Sequence, residues 1–366
     1  MIYLAIPAIL AGIYQFIALI VALGRLGAGN RQHVSLFPPV SILKPVYGCD
    51  PEFYQAIRSH ALLDYPEFEI LFGVRDGDSA REDIARLSAE FPACHIRMID
   101  CITRMPNGKV AALVDLASAA RYAVLVINDS DIVVERDYLR QVVSLLERPK
   151  AGLVTCLYRA RGASWPARFE ALGIATDFAP SVLVARALGV AEFALGSTMA
   201  LRASDLERVG GFAAIGDYLA DDYQLGERIT SLGLHIEMAP TVVETHLSGN
   251  SWGEIWRHQL RWARTIRVSR PGGYVGYVIT NASVWAVVAM IAGAWQLALA
   301  SLAVRLAAGV VTAAFVLHDR DTARHWFLVP IRDLWGFAVW LAGLAGSTVD
   351  WRGQKLRLNR DGRIER

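Results

Sequence analysis

The sequence predicts an α/β domain with a mostly parallel sheet, set between apolar segments long enough to enter a membrane. Three observations predict this. Hydrophobic residues are 54% of the 366 and mean hydropathy is +0.32, both high for a soluble chain. Uncharged runs lie at 2–23 and at 274–317, the second broken only by Arg305. Between them, apolar β-rich runs alternate with helix-periodic stretches of about a dozen residues, the pattern of parallel strands joined by helical crossovers.

The elements follow in order. Residues 2–23 supply roughly 20 apolar positions, enough for a bilayer core of about 30 Å. A cleaved signal peptide has a basic start and a shorter apolar stretch, so an uncleaved anchor over 1–24 is expected. Arg25, Arg31 and Lys44 follow it, and the positive-inside rule makes the next region cytoplasmic. In the expected domain 35–270, VSILKPV, EILFGVRD, HIRMID and AVLVINDSD read as strands. EFYQAIRSHALL, AREDIARLSAEF and GKVAALVDLASAAR read as helices. The 274–317 run reads as a transmembrane hairpin, in which Arg305 must pair, snorkel or mark an exit from lipid. Arg332 and Asp333 interrupt the last apolar piece, Trp326 to Val349. The basic tail WRGQKLRLNR belongs with the catalytic region, so parity makes 326–366 an interfacial or re-entrant segment plus tail. Trp252, Trp256, Tyr274 and Tyr277 are expected at the bilayer surface.

Other classes recede. A net charge of +2 gives no nucleic-acid footprint. Cys49, Cys94, Cys101 and Cys156 form no C-x-x-C pair and have no His cluster beside them, so neither a zinc site nor a disulfide framework is indicated.

The candidate chemistry gathers at strand ends, because ligands of parallel sheets bind beyond the carboxyl ends of the strands. Asp76 follows EILFGVR, and Asp129-Ser130-Asp131 follows AVLVIN. A D-x-D there offers oxygen ligands to Mg²⁺ or Mn²⁺, which bridge to substrate phosphates. In isolation the tripeptide is also an ordinary turn. Asp221-Asp222 opens a helix, where acids suit the dipole; the functional reading makes Asp222 a general base for a hydroxyl. In His258-Gln259-Leu260-Arg261-Trp262, Arg261 suits a leaving diphosphate and Trp262 offers a flat face to sugar or lipid. An interfacial helix with snorkelling Arg is the compatible alternative. Lys109, in PNGKVAAL, either faces the diphosphate or is a solvated helix-start lysine.

The order Asp76, Asp129, Asp222, then Arg261-Trp262 resembles the D, D, D, (Q/R)xxRW signature of processive and lipid-linked family-2-type glycosyltransferases. SILKPVYGCDP, FGVRDGDS, NGKVAAL, INDSDI, GLVTCLYR, LADDYQLGERI and RWARTIR are similar to the ceramide glucosyltransferase group, family 21. Within it they look most like the bacterial hopanoid-biosynthesis-associated glycosyltransferases. The resemblance covers about 35–270 and the WRGQKLRL tail. It implies a GT-A nucleotide-sugar-binding fold with a mixed, mostly parallel sheet. It also implies inverting transfer of glucose or N-acetylglucosamine from a UDP-sugar to a membrane lipid hydroxyl, of ceramide or a bacteriohopane polyol. By the same resemblance Asp76 contacts the nucleoside, and Asp129 and Asp131 bind the divalent metal and diphosphate. Asp222 is the base, and Arg261 and Trp262 close the site. His246 is a candidate late metal ligand. His258 stands where the family has Gln or Arg, which makes that donor contact pH-dependent. The implied setting is a bacterial inner membrane, crossed more than once. A processive polysaccharide synthase and a non-catalytic membrane scaffold are the alternatives. The former usually needs more spans, and a transport role needs ionisable groups in the spans.

Overall fold

Every residue of VSILKP is buried, because the strand it forms is covered on both faces. The computed structural model describes residues 2–26, 37–50, 52–249 and 251–365; Arg31 and the start of the expected 35–270 domain lie outside them. β1 (Val40–Pro45) pairs in parallel with β2 (Phe68–Val74) and with β4 (Val124–Ile127), and β2 pairs in parallel with β3 (His95–Asp100). β5 (Ile132–Val133), β6 (Ala151–Arg161), β7 (Met199–Arg202) and β8 (His235–His246) complete the sheet in the order β3-β2-β1-β4-β7-β6-β8-β5. β7 runs antiparallel to β4 and β6, and β5 antiparallel to β8. The sheet is therefore mixed, with the parallel part first, as expected. Alternate side chains enter two cores: Ile42, Ile70, Phe72 and Val126 on one face, Leu43, Leu71, Leu125 and Ile127 on the other. That is why these strands read as continuous apolar runs.

Two compact units divide the chain: Asn30–Tyr158 with Ala191–Ser248 and Arg363–Arg366, which holds the sheet, and Met1–Gly29 with Arg159–Val190 and Gly249–Gly362, which is mainly helical. In the sheet unit the predicted helices form at Phe53–Ala61, Ala80–Glu90 and Gly108–Ala119.

In the helical unit, two helices are long and apolar enough to cross a membrane, Ala5–Leu26 and Trp295–Val316. They lie side by side in the same direction. Ala8 packs near Ala298, Gly12 faces Ser301, and Ala18 packs near Ala308. This seam of small residues lets the backbones approach, and it puts Leu26 and Val316 at the same end. The first arm of the expected hairpin is not straight: Pro271–Thr280 and Ala282–Ile291 bend by 57°. Gly293, at φ 82°, reverses the chain into the second arm.

Arg305 pairs rather than snorkels. Its Nε donates to Asp333 Oδ1 and Oδ2 at 3.2 and 3.1 Å, its Nη2 to Oδ1 at 2.6 Å, and its Nη1 to Thr176 O at 2.6 Å. Both residues are almost fully buried, and Asp333 Oδ2 also accepts from the Ser283 amide and hydroxyl. The charges that interrupt the last apolar piece thus face inward from the Val329–Gly343 helix. The tyrosine expectation is corrected. Tyr274 is 2% exposed and donates its hydroxyl to Trp340 O at 2.7 Å; Tyr277 donates to Asp177. A phenol turned into protein needs an acceptor, and buried Tyr274 and half-buried Tyr277 both find one there. Trp252 is half exposed, whereas Trp256 packs on Trp335. The tail is a β-hairpin, β9 (Thr348–Trp351) with β10 (Gln354–Leu358). Arg352 and Gly353, both at positive φ, make its two-residue turn.

Candidate active site

The antiparallel return of β7 builds the site. Ile127, the last residue of β4, pairs with Met199, the first of β7. The segment Leu195–Thr198 therefore lies beside Asn128-Asp129-Ser130-Asp131. Buried Asn128 ties the two together, its Nδ2 donating to Ser197 O at 2.8 Å and lying 3.1 Å from Thr198 Oγ1.

Lys109 reaches this point because Asn107 caps the Gly108–Ala119 helix. Asn107 Oδ1 accepts from the amides of Lys109 and Val110, and its Nδ2 donates to Tyr218 O at 2.8 Å. Ser, Asn and Asp hold helix starts in this way. Lys109 Nζ then lies 2.8 Å from Asp129 Oδ1 and 3.1 Å from Asp221 Oδ2, with its side chain 11% exposed. It is not the solvated helix-start lysine of the alternative reading. Burial works to lower its pKa, but the charges of Asp129 and Asp221 outweigh that and push it up.

Asp222, in the first turn of the Asp221–Ser231 helix, accepts from Gly196 N at 3.0 Å through Oδ2 and from Tyr223 N at 2.8 Å through Oδ1. Burial, then repulsion from Asp221, raises its pKa to about 6; Lys109 opposes the rise. A Cβ placed on Gly196 would stand 3.4 Å from Asp222 Oδ2, 3.4 Å from Lys109 Nζ and 3.7 Å from Asp129 Oδ2. Two carboxylates and an ammonium thus converge on the space beside one glycine. Charged groups whose pKa values are shifted by burial and by one another, gathered at a strand edge, make this the candidate site.

Asp131 is held by the Thr245 hydroxyl, and burial followed by repulsion from Asp129 raises its pKa to about 6. Two carboxylates two residues apart, Asp129 and Asp131, fit a hard cation. Mg²⁺ or Mn²⁺ needs only one or two protein carboxylates when phosphates and waters fill the other positions. His246 is the last residue of β8, next to Thr245. Thr245 faces Asp131, and the buried His246 Nε2 lies 3.3 Å from Glu244 Oε1. Among the described residues, no three His, Cys, Asp or Glu side chains gather as a metal cluster.

Beneath the D-x-D lies a lysine that sequence reasoning missed. Lys44 is fully buried and donates to Asp129 O at 3.0 Å. Its Nζ is 3.4 Å from His60 Nε2, which lies equally 3.4 Å from Asn128 Oδ1; His60 Nδ1 faces Ala56 O at 3.0 Å. Burial lowers the Lys44 pKa to about 7, and Asp131 and Asp129 hold it from falling further. Asp76 is exposed just beyond the carboxyl end of β2, on the edge where β4 ends. Its neighbour Asp78 is the structural acid, accepting from Gly48 N at 3.0 Å.

His258, Arg261 and Trp262 share the Trp252–Ser269 helix of the helical unit, started by a Ser251/Glu254 capping box. His258 Nδ1 lies 2.6 Å from Oε1 of Glu170, itself 3% exposed. A carboxylate accepts, so Nδ1 donates, and Glu170 fixes the orientation of the ring. His258 also packs on Trp262, ring centroids 4.7 Å apart. Glu170, like Gly196, Asp221 and Lys44, was absent from the sequence-derived set.

The sequence pattern describing Glycosyl transferase family 21 matches residues 1–364. The chain belongs to glycosyl transferase family 21. It is 31% identical over 202 residues to Ceramide glucosyltransferase 1 of Caenorhabditis elegans, covering 54% of this chain and 43% of that protein. Over 243 residues it is 26% identical to the probable glycosyltransferase YdaM of Bacillus subtilis, covering 64% and 56%. The chain spans less than half the length of the nematode relatives it matches, 43% and 44%. Among solved structures, a mannosyltransferase from Pyrobaculum calidifontis, in complex with GDP-Man and Mn²⁺, superposes with a TM-score of 0.56 at 20% identity. The match covers 93% of this chain and 97% of that one. The family-21 chain therefore has the GT-A-type fold that the motifs implied.

Proposed function

We propose that this chain transfers a single sugar, glucose or N-acetylglucosamine, from a UDP-sugar to a lipid hydroxyl, with ceramide or a bacteriohopane polyol as acceptor. The observation that carries this reading is the convergence of Lys109, Asp129 and Asp222 beside Gly196. The acceptor hydroxyl gives its proton to Asp222 as its oxygen bonds to the anomeric carbon. The bond from that carbon to the diphosphate breaks, its electron pair leaves with UDP, and the anomeric configuration inverts. Lys109 and Arg261 offset the charge gathering on the diphosphate, Asp76 contacts the nucleoside, and Trp262 stacks on sugar or lipid. His258, oriented by Glu170, takes the donor contact that Gln or Arg makes in the family. Mg²⁺ or Mn²⁺ held by Asp129 and Asp131 supplies, when bound, further positive charge against the diphosphate.

The proposed organisation is an anchor at 1–24, the catalytic domain at 35–270, a hairpin at 274–317 and an interfacial segment with tail at 326–366, in a bacterial inner membrane. The parallel run of the two apolar helices supports it, since both then deliver their carboxyl ends to one side, the cytoplasmic side. The 15-residue Val329–Gly343 helix is about 22 Å long, short of a bilayer core of about 30 Å.

Membranes containing the protein, incubated with labelled UDP-glucose or UDP-N-acetylglucosamine and extracted for mass spectrometry, test the reading. The expected product is a lipid carrying one sugar, its yield reduced by chelation. A ladder of added sugars would favour a processive synthase, and no labelled lipid from either donor would defeat the proposal.

A further inference from the structure

The helical unit carries an open cavity of about 600 Å³ at its surface, and its lining is divided by chemistry. Leu26, Ala314 and Phe315 form one part; Arg161, His318, Arg320 and Asp321 form the other. The apolar part comes from the carboxyl ends of the two apolar helices, which lie together because those helices run in parallel. Leu26 and Phe315 remain 46% and 49% exposed, although each ends a segment apolar enough to meet lipid.

The polar part is built, not incidental. Arg161 Nη1 is 2.7 Å from Asp319 Oδ1, and Asp319 is 1% exposed. The same oxygen accepts from Thr322 N at 3.1 Å, and Asp319 N donates to Ala313 O at 2.8 Å. The guanidinium is thus clamped at the cavity wall by a buried acid. His318, held at φ 54°, and Arg320 are exposed beside it. Asp321 is paired with Arg324 at 3.0 Å. With the two acids each matched to an arginine, Arg320 gives this end of the cavity a positive balance.

A second observation is a group of exposed aromatics in the same unit. Trp165, Trp326 and Phe327 are 61%, 49% and 57% exposed, and His325 links them, its ring 6.0 Å from Trp165 and 6.3 Å from Phe327. Exposed aromatics grouped beside arginines at the ends of apolar helices are the composition of a headgroup-level belt.

We propose that this cavity binds an anionic phospholipid of the surrounding bilayer, with the phosphate group at Arg161 and Arg320 and the start of an acyl chain against Leu26, Ala314 and Phe315. Arginine suits phosphate oxygens by its fork of donors. The site would fix the depth of the helical unit at the leaflet surface. The proposal rests on the membrane reading above, and it concerns a lipid that is bound and not glycosylated.

The test uses the full chain purified in mild detergent, with two readouts. Flotation with vesicles of phosphatidylcholine, with or without phosphatidylglycerol, reports membrane association. Native mass spectrometry reports the lipid retained. The expected result is flotation with both vesicles and selective retention of one phosphatidylglycerol. Exposed-site variants Arg320→Glu and Phe315→Ala should each weaken retention at least ten-fold, and inorganic phosphate should not compete at equal concentration. Flotation with equal retention of both lipids, or retention unchanged in Arg320→Glu, would overturn the site alone. Failure to float with either vesicle would overturn the site and the membrane reading together.

Discussion

Asp222 and Gly196 show most directly how single residues set the chemistry. Ionised Asp222 is the proposed base, and its pKa is raised to about 6 by burial and Asp221. Transfer is therefore expected to fall as pH drops through about 6, because the protonated acid cannot accept the hydroxyl proton. The pH profile of kcat/KM checks this, and a profile flat from pH 7 to pH 5 would contradict it. Linkage adds a stability sign. A carboxyl whose folded pKa is raised stabilises the fold fully below its ordinary value of 3.8 and loses that contribution as pH rises through about 6. Asp222→Asn should therefore melt higher than the wild type above pH 6, with the gap closing in acid. Gly196→Ala adds a methyl at contact distance from three charged groups on a backbone with no positive φ. It should fold normally while raising the donor KM roughly ten-fold, equivalent to about 1.4 kcal/mol. The acids at strand ends were legible because position and charge are written in the chain. Gly196 and Lys44 were not, since their places depend on β7 folding back and on β1 pairing beside β4, contacts 85 residues apart in the case of Lys44 and Asp129.

At the scale of elements, the Arg305–Asp333 pair locks the Trp295–Val311 helix to the Val329–Gly343 helix. Removing one partner leaves the other charge buried and unmatched, which costs about 3–5 kcal/mol. Arg305→Met or Asp333→Leu alone should lower the melting temperature in detergent sharply. The double variant should recover much of the loss, and additive losses would contradict the pairing. The sequence marked both charges as faults in apolar runs; it could not mark them as each other's solution. Periodicity located the helices well for the same reason that it missed the 57° bend at Asn281: it records which residues are apolar, not where the axis turns.

For the whole molecule, family membership and the GT-A-type fold follow from residues spread over nearly the full chain. The two apolar helices run in parallel within the helical unit, and the proposed topology adds charge parity to that. Reporter fusions after residue 366 should read as cytoplasmic, and a periplasmic reading would contradict the proposed topology. The central claim is that the half-buried Asp222 carboxylate at the converging site takes the proton of a lipid hydroxyl. Its most direct test is the initial rate of glycolipid formation by wild type and Asp222→Asn at saturating UDP-sugar. The account predicts a fall of roughly 10²–10⁴-fold in kcat with donor binding retained; an unchanged rate would contradict it.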